Sequence, residues 1–421
     1  MRKMSLKNKL NPLKSRQIRH LFIARSISTL GDMVTPIALV FAILEFSDSA
    51  SALGIILAAR AIPSVVLLLF GGVIGDKYNR KMILVISSLV GFISQGLIGI
   101  LLLTGEATVL NIAMLTAVRG GISSFFNPAF TGAVSAVAPN EKKQEVFSLF
   151  AITNNISEIA GPALAGVSLL YINPSWLLIG DSLTFLISAI LIFTCGKIGT
   201  PKNSGFKTNL LFKEMNEGLK YVLTQKWLTA LIISASVFQL FLLSSMQVLG
   251  PVVAERHLGG APDWALISIS LGIGSLVGSL LAMYYKPNKP LLVAYSLLIL
   301  GAGPTLLLLA IPAPLYLLVI SEFVAGIVIS FFSTLEATTI TKIVPNHLLS
   351  RVDSINRFGS ISLKPVGLAL IGPLSLMIGI KFTLIIATII TLLAILWPLT
   401  IVSVRQLTTN EIKIENEEQT V

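Results

Sequence analysis

Long stretches of this chain run without one charged side chain, among them residues 82–105, 227–254, 264–285, 290–321 and 382–404. A helix needs about 20 apolar residues to cross the hydrocarbon core of a bilayer, and each of these runs is that long or longer. Composition carries the same message to the rest of the chain. Of 421 residues, 54% are hydrophobic and 12% charged, and the mean hydropathy is +0.85, whereas a soluble domain carries roughly 25% charged residues. Twelve spans would use about 240 residues, close to the whole hydrophobic share. A soluble enzyme is excluded.

The expected class is an all-α integral membrane protein with spans at 20–44, 51–75, 82–104, 109–138, 145–171, 175–195, 227–254, 264–285, 290–311, 314–341, 348–378 and 382–404. Cys195 is the only cysteine, so no internal disulfide or multi-cysteine metal cluster can form. His20, His257 and His347 are far apart in sequence, and HExxH, GxSxG and GxxxxGK[ST] do not occur. Zinc-protease, nucleophile-elbow and ATP-hydrolysing chemistries therefore have no support, and no cofactor or metal is expected.

A net charge of +11 would suggest nucleic acid in a soluble protein. Here the basic residues mark sidedness instead. With the N-terminus inside, the inner connections hold Lys77, Arg80, Lys81, Lys142, Lys143, Lys286, Lys289, Lys342 and Arg351, and 197–226 adds six lysines. The outer connections hold only Arg256 and Lys381, beside five acids. Both termini are thus expected in the cytoplasm, with a lipid bilayer and no nucleic acid as surroundings. Residues 1–19 hold seven basic side chains and no acid, followed by a long span without a cleavage site, as an uncleaved cytoplasmic lead would. The glutamate-rich end, 405–421, is expected to be a solvated tail.

The hydrophilic segment 197–226 separates two sets of six spans, 20–196 and 227–404. They repeat each other. Val118-x-Gly120-x-x-x-Ser124-Phe125-Phe126 returns 206 residues later as Val324-x-Gly326-x-x-x-Ser330-Phe331-Phe332, and Pro139-Asn140, Ser148 and Gly161 return as Pro345-Asn346, Ser354 and Gly367. Two pseudo-symmetric six-helix bundles around a central substrate path are a transporter architecture.

Between spans two and three stands Gly71-Gly72-Val73-Ile74-Gly75-Asp76-Lys77-Tyr78-Asn79-Arg80-Lys81. Gly71 and Gly75 form a small-xxx-small pair that permits close helix approach. Asp76 and Arg80 are spaced to pair at the inner surface, and Asn79 suits a left-handed reversal. This segment resembles the signature loop of the major facilitator superfamily. More narrowly, the chain resembles bacterial drug exporters of the macrolide-efflux and enterobactin-exporter branch, through Ser28-Thr29-Leu30-Gly31-Asp32, Ala59-Arg60-x-x-Pro63, Phe126-Asn127-Pro128-Ala129, Gly161-Pro162-Ala163-Leu164-Ala165-Gly166 and Asp181-Ser182-Leu183-Thr184-Phe185.

The resemblance implies a gating role for Gly72, Asp76, Arg80 and Lys81, and an antiporter motif at Gly161, Pro162 and Gly166. Lys77 and Asn79 replace the commoner Arg and Gly of the loop, Ala165 stands where a second glycine is usual, and Tyr284–Lys289 has lost the acid of the matching loop in the second half. Any gating lock is therefore expected mainly in the first half.

Charges inside spans are the most informative residues, since each costs roughly 2.5–3.5 kcal/mol at mid-depth on insertion scales. At 1.5 Å per residue, Asp32 lies about 18 Å into span one. Arg60, Arg119, Glu158, Asp181, Glu322 and Lys364 lie at comparable depths, which gives four acids against three bases. Asp32 is expected to couple protons, with Arg60 and Arg119 shaping its electrostatics. Arg119 resembles the span-four arginine that the family links to proton transfer, although Ile122 and Ser123 replace the usual residues after it. The expected function is a monomeric proton-coupled antiporter in the bacterial cytoplasmic membrane, exporting a hydrophobic or amphipathic, macrolide-like small molecule by alternating access. The alternative is a siderophore or lysophospholipid transporter of the same fold. A membrane enzyme would need a carboxylate cluster such as DDxxD, and a sensor an appended soluble domain; the sequence offers neither.

Overall fold

The computed structural model describes residues 11–196, 198, 208–311, 313–345 and 347–408, with side chains described for all of these except 11–12, 69–77, 140 and 208–214. Among the described residues there are helices and no strands. They fall into two compact units, Met1–Ser204 and Gly205–Val421.

The first unit holds α1 (Arg16–Ser47), α2 (Ala50–Lys77), α3 (Arg80–Thr104), α4 (Val109–Val137), α5 (Lys143–Ser168) and α6 (Pro174–Phe193). Their ends carry ordinary punctuation. Asn79 accepts from Lys81 N at 3.0 Å and caps α3, Thr108 and Asn111 form a reciprocal capping box on α4, and α3 stops at left-handed Gly105. Asn79 corrects an expectation: its backbone is extended, with φ −62° and ψ 110°, because a capping side chain, rather than a left-handed turn, makes the reversal.

The second unit begins with α7 (Thr208–Thr224), a helix inside the segment that the sequence marked as a hydrophilic loop. Its amphipathic pattern gives the reason. Val222 is buried, Gly218 lets Arg351 and Ile355 approach, and Glu217 Oε2 accepts from Arg351 Nη1 at 2.7 Å. The helix thus docks on its own unit. There follow α8 (Lys226–His257), α9 (Ala261–Tyr284), α10 (Pro290–Ala310), α11 (Leu315–Ile343), α12 (Leu349–Ile378), α13 (Ile380–Thr400) and short α14 (Val402–Gln406). Helix α8 passes through a π-helical turn at Gln239–Leu243, and α12 is interrupted at Leu363, just before Lys364-Pro365. Proline has no N–H to give the preceding turn.

Eleven of these helices are long and apolar enough to cross a membrane. The twelfth long helix is α5, whose 26 residues include Glu145, Asn154, Asn155 and Glu158 and are therefore less apolar.

The helices pack in the same pairs in each unit. In the first, α2 lies on α4, α3 on α4 and α6, and α1 on α5 and α6; in the second, α9 lies on α11, α10 on α11 and α13, and α8 on α12 and α13. The repeated residues make the repeated crossings. A Cβ on Gly120 would strike the Arg60 carbonyl of α2, and one on Gly326 the Leu271 carbonyl of α9. Gly161 lies against Met33 of α1 as Gly367 lies against Leu240 of α8. With no apolar driving force between helices in lipid, such close approach supplies van der Waals contact that larger residues would prevent.

Candidate functional site

Helices α1, α2, α3, α4 and α6 bring the site of the first unit together. Asp32 and Thr35 are one helical turn apart on α1, which puts both on one face. Arg119 of α4, 6% exposed, donates through Nη2 to Asp32 Oδ1 in an ion pair. The Asp32 side chain keeps 29% of its surface accessible, so one partner is buried and the other accessible. The guanidinium lies 4.1 Å from the centre of the Phe185 ring of α6, a cation–π contact. It passes Gly91 of α3, where a Cβ would sit 3.1 Å from Nη1. Arg119 Nε is buried with no hydrogen-bond partner among the described residues.

Asp181 of α6 is only 3% exposed and takes no ion pair among the described residues. It is held by hydroxyls instead. Thr35 Oγ1 donates to Asp181 Oδ2 at 2.6 Å, and Gln95 Nε2 of α3 donates to Thr35 Oγ1 at 3.3 Å. The Thr184 hydroxyl lies 2.7 Å from the Asp181 carbonyl and 3.2 Å from Oδ1. Gly31 makes room for this: a Cβ there would collide with Asp181 Oδ1 and Thr184 Oγ1. Arg60 of α2 feels the charges of Arg119, Asp32 and Asp181 and has no hydrogen bond among the described residues. Two acids and two bases therefore meet within one unit, and Arg25, two turns before Asp32 on α1, adds a third base that feels the Asp32 charge.

Other expected positions lie elsewhere. Glu158 is exposed on α5 and makes no hydrogen bond among the described residues. Glu322 of α11, 5% exposed, lies beside the Thr305 hydroxyl of α10, which pairs with Ser321 at 2.7 Å; no cation salt-bridges it among the described residues. Lys364 stands at the break in α12. The structure thus joins Asp32, Arg119, Arg60 and Asp181 but not Glu158, and Glu322 and Lys364 belong to the second unit.

In the loop after α2, the Asp76 side chain and the surroundings of Gly72 lie outside the described residues. Arg80 Nη1 donates to the Gly132 carbonyl of α4 at 3.1 Å, and Lys81 Nζ stands 5.4 Å from the Phe193 ring. Gly161 and Gly166 are buried in α5, which continues through Pro162. Thr35, Gln95 and Gly91 were not anticipated. Thr35 had a signal in its spacing from Asp32, whereas Gln95 and Gly91 had none, because only the crossing of α3 with α6 brings them in.

The superfamily profile matches residues 21–360, from α1 into α12. The chain belongs to the Major Facilitator Superfamily. It is a multi-pass membrane transporter and not an enzyme. Among similar members, the multidrug efflux pump Tap of Mycolicibacterium fortuitum is 25% identical over 371 residues, covering 84% of this chain and 88% of that protein. Macrolide efflux protein A of Streptococcus pyogenes is 23% identical over 391 residues, covering 90% and 94%. The nucleoside transporter NupG superposes with a TM-score of 0.71 at 13% identity, over 91% of this chain and 98% of that one. A bacterial homologue of the human lysosomal transporter Spinster, in an inward-facing, unoccupied conformation, gives 0.69 at 13%, over 94% and 99%. At such identities these structures speak for the superfamily fold alone.

Proposed function

We propose that this transporter is a proton-coupled exporter of hydrophobic or amphipathic small molecules, working by alternating access as a monomer in the bacterial cytoplasmic membrane, with both termini in the cytoplasm. The single observation that carries it is the Asp32–Arg119 ion pair, buried on the arginine side and accessible on the aspartate side. A carboxylate in that position takes a proton when the site faces the more acidic compartment, which breaks the pair, and releases it when the site faces the other. A substrate that binds one arrangement better than the other is moved in exchange, and the pH difference and membrane potential supply the free energy. Export is supported by the relatives named for efflux.

The test is uptake of erythromycin and ethidium into everted vesicles under an imposed pH gradient, with Asp32→Asn beside the native protein. Native vesicles should accumulate at least one probe, and the variant should insert normally yet lose the gradient-driven part. Equal accumulation with and without the protein would overturn drug export in favour of a siderophore or lysophospholipid. Undiminished uptake by Asp32→Asn would remove Asp32 from coupling. For orientation, Glu106→Cys should label only from outside and Asn203→Cys only from the cytoplasm, in a background lacking Cys195.

A further inference from the structure

We infer that Asp181 is the alternate acceptor for Arg119, so that the guanidinium passes from Asp32 to Asp181 when Asp32 is neutralised and returns when Asp32 is charged again. This rests on the proton-coupling reading for its purpose, but not for its geometry.

Three features of the first unit argue for it. Arg119 has a donor to spare: Nη2 is engaged by Asp32, while Nε is buried and unpaired among the described residues. A buried orphan donor is costly to leave, and an arrangement that employs it is available nearby. Next, Asp181 and Phe185 are four residues apart on α6 and so share a face, and the Arg119 guanidinium already lies over the Phe185 ring. The flat guanidinium can slide along that ring towards Asp181 without leaving its cation–π contact. Finally, the two acids are close: Gly31, next to Asp32 on α1, lets Asp181 Oδ1 pack against the α1 backbone, and Asp181 already feels the charges of both Arg119 and Asp32.

In the arrangement observed, Asp181 is held back by Thr35 and Thr184, and Thr35 is oriented in turn by Gln95. Hydroxyls can keep a buried carboxyl only until a better partner arrives, because a guanidinium adds charge attraction and two parallel N–H donors that a hydroxyl lacks. The charged groups around the pair are Asp32 and Arg25 on α1, Arg119 on α4 and Arg60 on α2, Arg25 acting on Asp32; α3 contributes the neutral Gln95. The proton balance is simple. One proton from water adds to the Asp32 carboxylate and later leaves from it to water on the other side, while Arg119 keeps all its protons and changes only its acceptor. The cluster is thus an element with two discrete arrangements, which is what coupling a proton to a movement of helices requires.

A double-mutant cycle separates this from a merely structural tie between α1 and α6. Apparent melting temperatures are measured for the purified full-length protein with Asp32→Asn, Asp181→Asn and both. Each single variant leaves Arg119 one carboxylate and should melt within a few degrees of the native protein. The double variant leaves it none and should lose clearly more than the two single losses together. The same cycle on Asp32 and the exposed Glu158 should be additive, which controls for loss of negative charge. Additivity between Asp32 and Asp181, or coupling no larger than that with Glu158, would overturn the hand-over. Thr35→Val releases the restraint on Asp181 and should shift the pH midpoint of ethidium uptake into everted vesicles by at least about half a pH unit; Thr35→Ser should restore it. An unshifted midpoint in Thr35→Val also counts against the hand-over. If native uptake ignores the pH gradient while the cycle still shows coupling, the proton-antiport reading fails and the hand-over stands.

Discussion

Gly120 and Gly326 occupy the same place in their two units, each pressed against the backbone of a neighbouring helix, yet the residue before one is Arg119 and before the other Ala325. The contrast continues around the site. Asp181 of α6 has Ala387 at its counterpart in α13, 206 residues on, and Asp32, next to Met33, is matched by Gln239, next to Leu240. The second unit bears its own polar groups where the first is neutral. Glu322 stands at the place of Thr116. Glu336 and Asn356, joined by a 3.0 Å hydrogen bond, stand at the places of Phe130 and Phe150, whose rings meet edge-on at 5.1 Å. The helix crossings were kept after duplication because backbone-to-backbone contact tolerates only glycine, while the residues beside them diverged. Duplication thus produced two copies of a scaffold and one copy of an ion cluster. The second copy has a π-helical turn at the position of Asp32, a feature often found at functional sites.

The largest test of that contrast is Arg119→Leu. It leaves Asp32 and Asp181 near one another with Arg60 and Arg25 as the remaining bases, and breaking a buried pair in this way costs about 3–5 kcal/mol. Glu322→Gln in the second unit removes a charge that has no salt-bridge partner among the described residues, and it should cost under about 1 kcal/mol, a typical hydrogen-bond difference. SDS-induced unfolding of the purified protein measures both, and equal losses would erase the distinction between the units.

The shared scaffold predicts the opposite pattern. Gly120→Ala and Gly326→Ala should each cost about 1–3 kcal/mol through overpacking, and by similar amounts, in the same assay. A loss confined to one of them would show that the crossings are not equivalent.

A smaller effect sharpens the exchange of aromatic for polar packing. Asn356→Ala leaves the Glu336 carboxyl without its donor, at about 1–3 kcal/mol. Replacing both members, Glu336→Phe with Asn356→Phe, rebuilds the first unit's pair and should cost less than the sum of the single changes. An additive result would mean that the two places are not interchangeable. The smallest effect expected is at the docking of α7. Arg351→Gln breaks a half-exposed pair with Glu217 and should cost under about 1 kcal/mol, with added salt weakening the native protein to match.

Much of this was legible in the sequence because lipid is a severe solvent. Apolar runs of span length announce helices whatever they pack against, since a backbone in hydrocarbon must bond to itself. The repeat at an offset of 206 announced two like units, and a charge inside an apolar run announced function because it is expensive to keep. Asp32, Arg119, Arg60 and Asp181 were therefore all singled out from sequence, and the structure brings them together. Helix α7 was missed as structure because its hydrophilic residues hid an amphipathic face. Partners were not legible either. Four acids and three bases at similar depth admit many pairings, and only the crossing of α1, α3, α4 and α6 gives Arg119 to Asp32, leaves Asp181 to the hydroxyls of Thr35 and Thr184, and brings in Gln95. Burial depth is a one-dimensional property, set by distance along a helix and readable from spacing. Pairing depends on the rotation of each helix about its own axis, which is set by small residues at contacts far apart in the chain, and so by the tertiary structure alone.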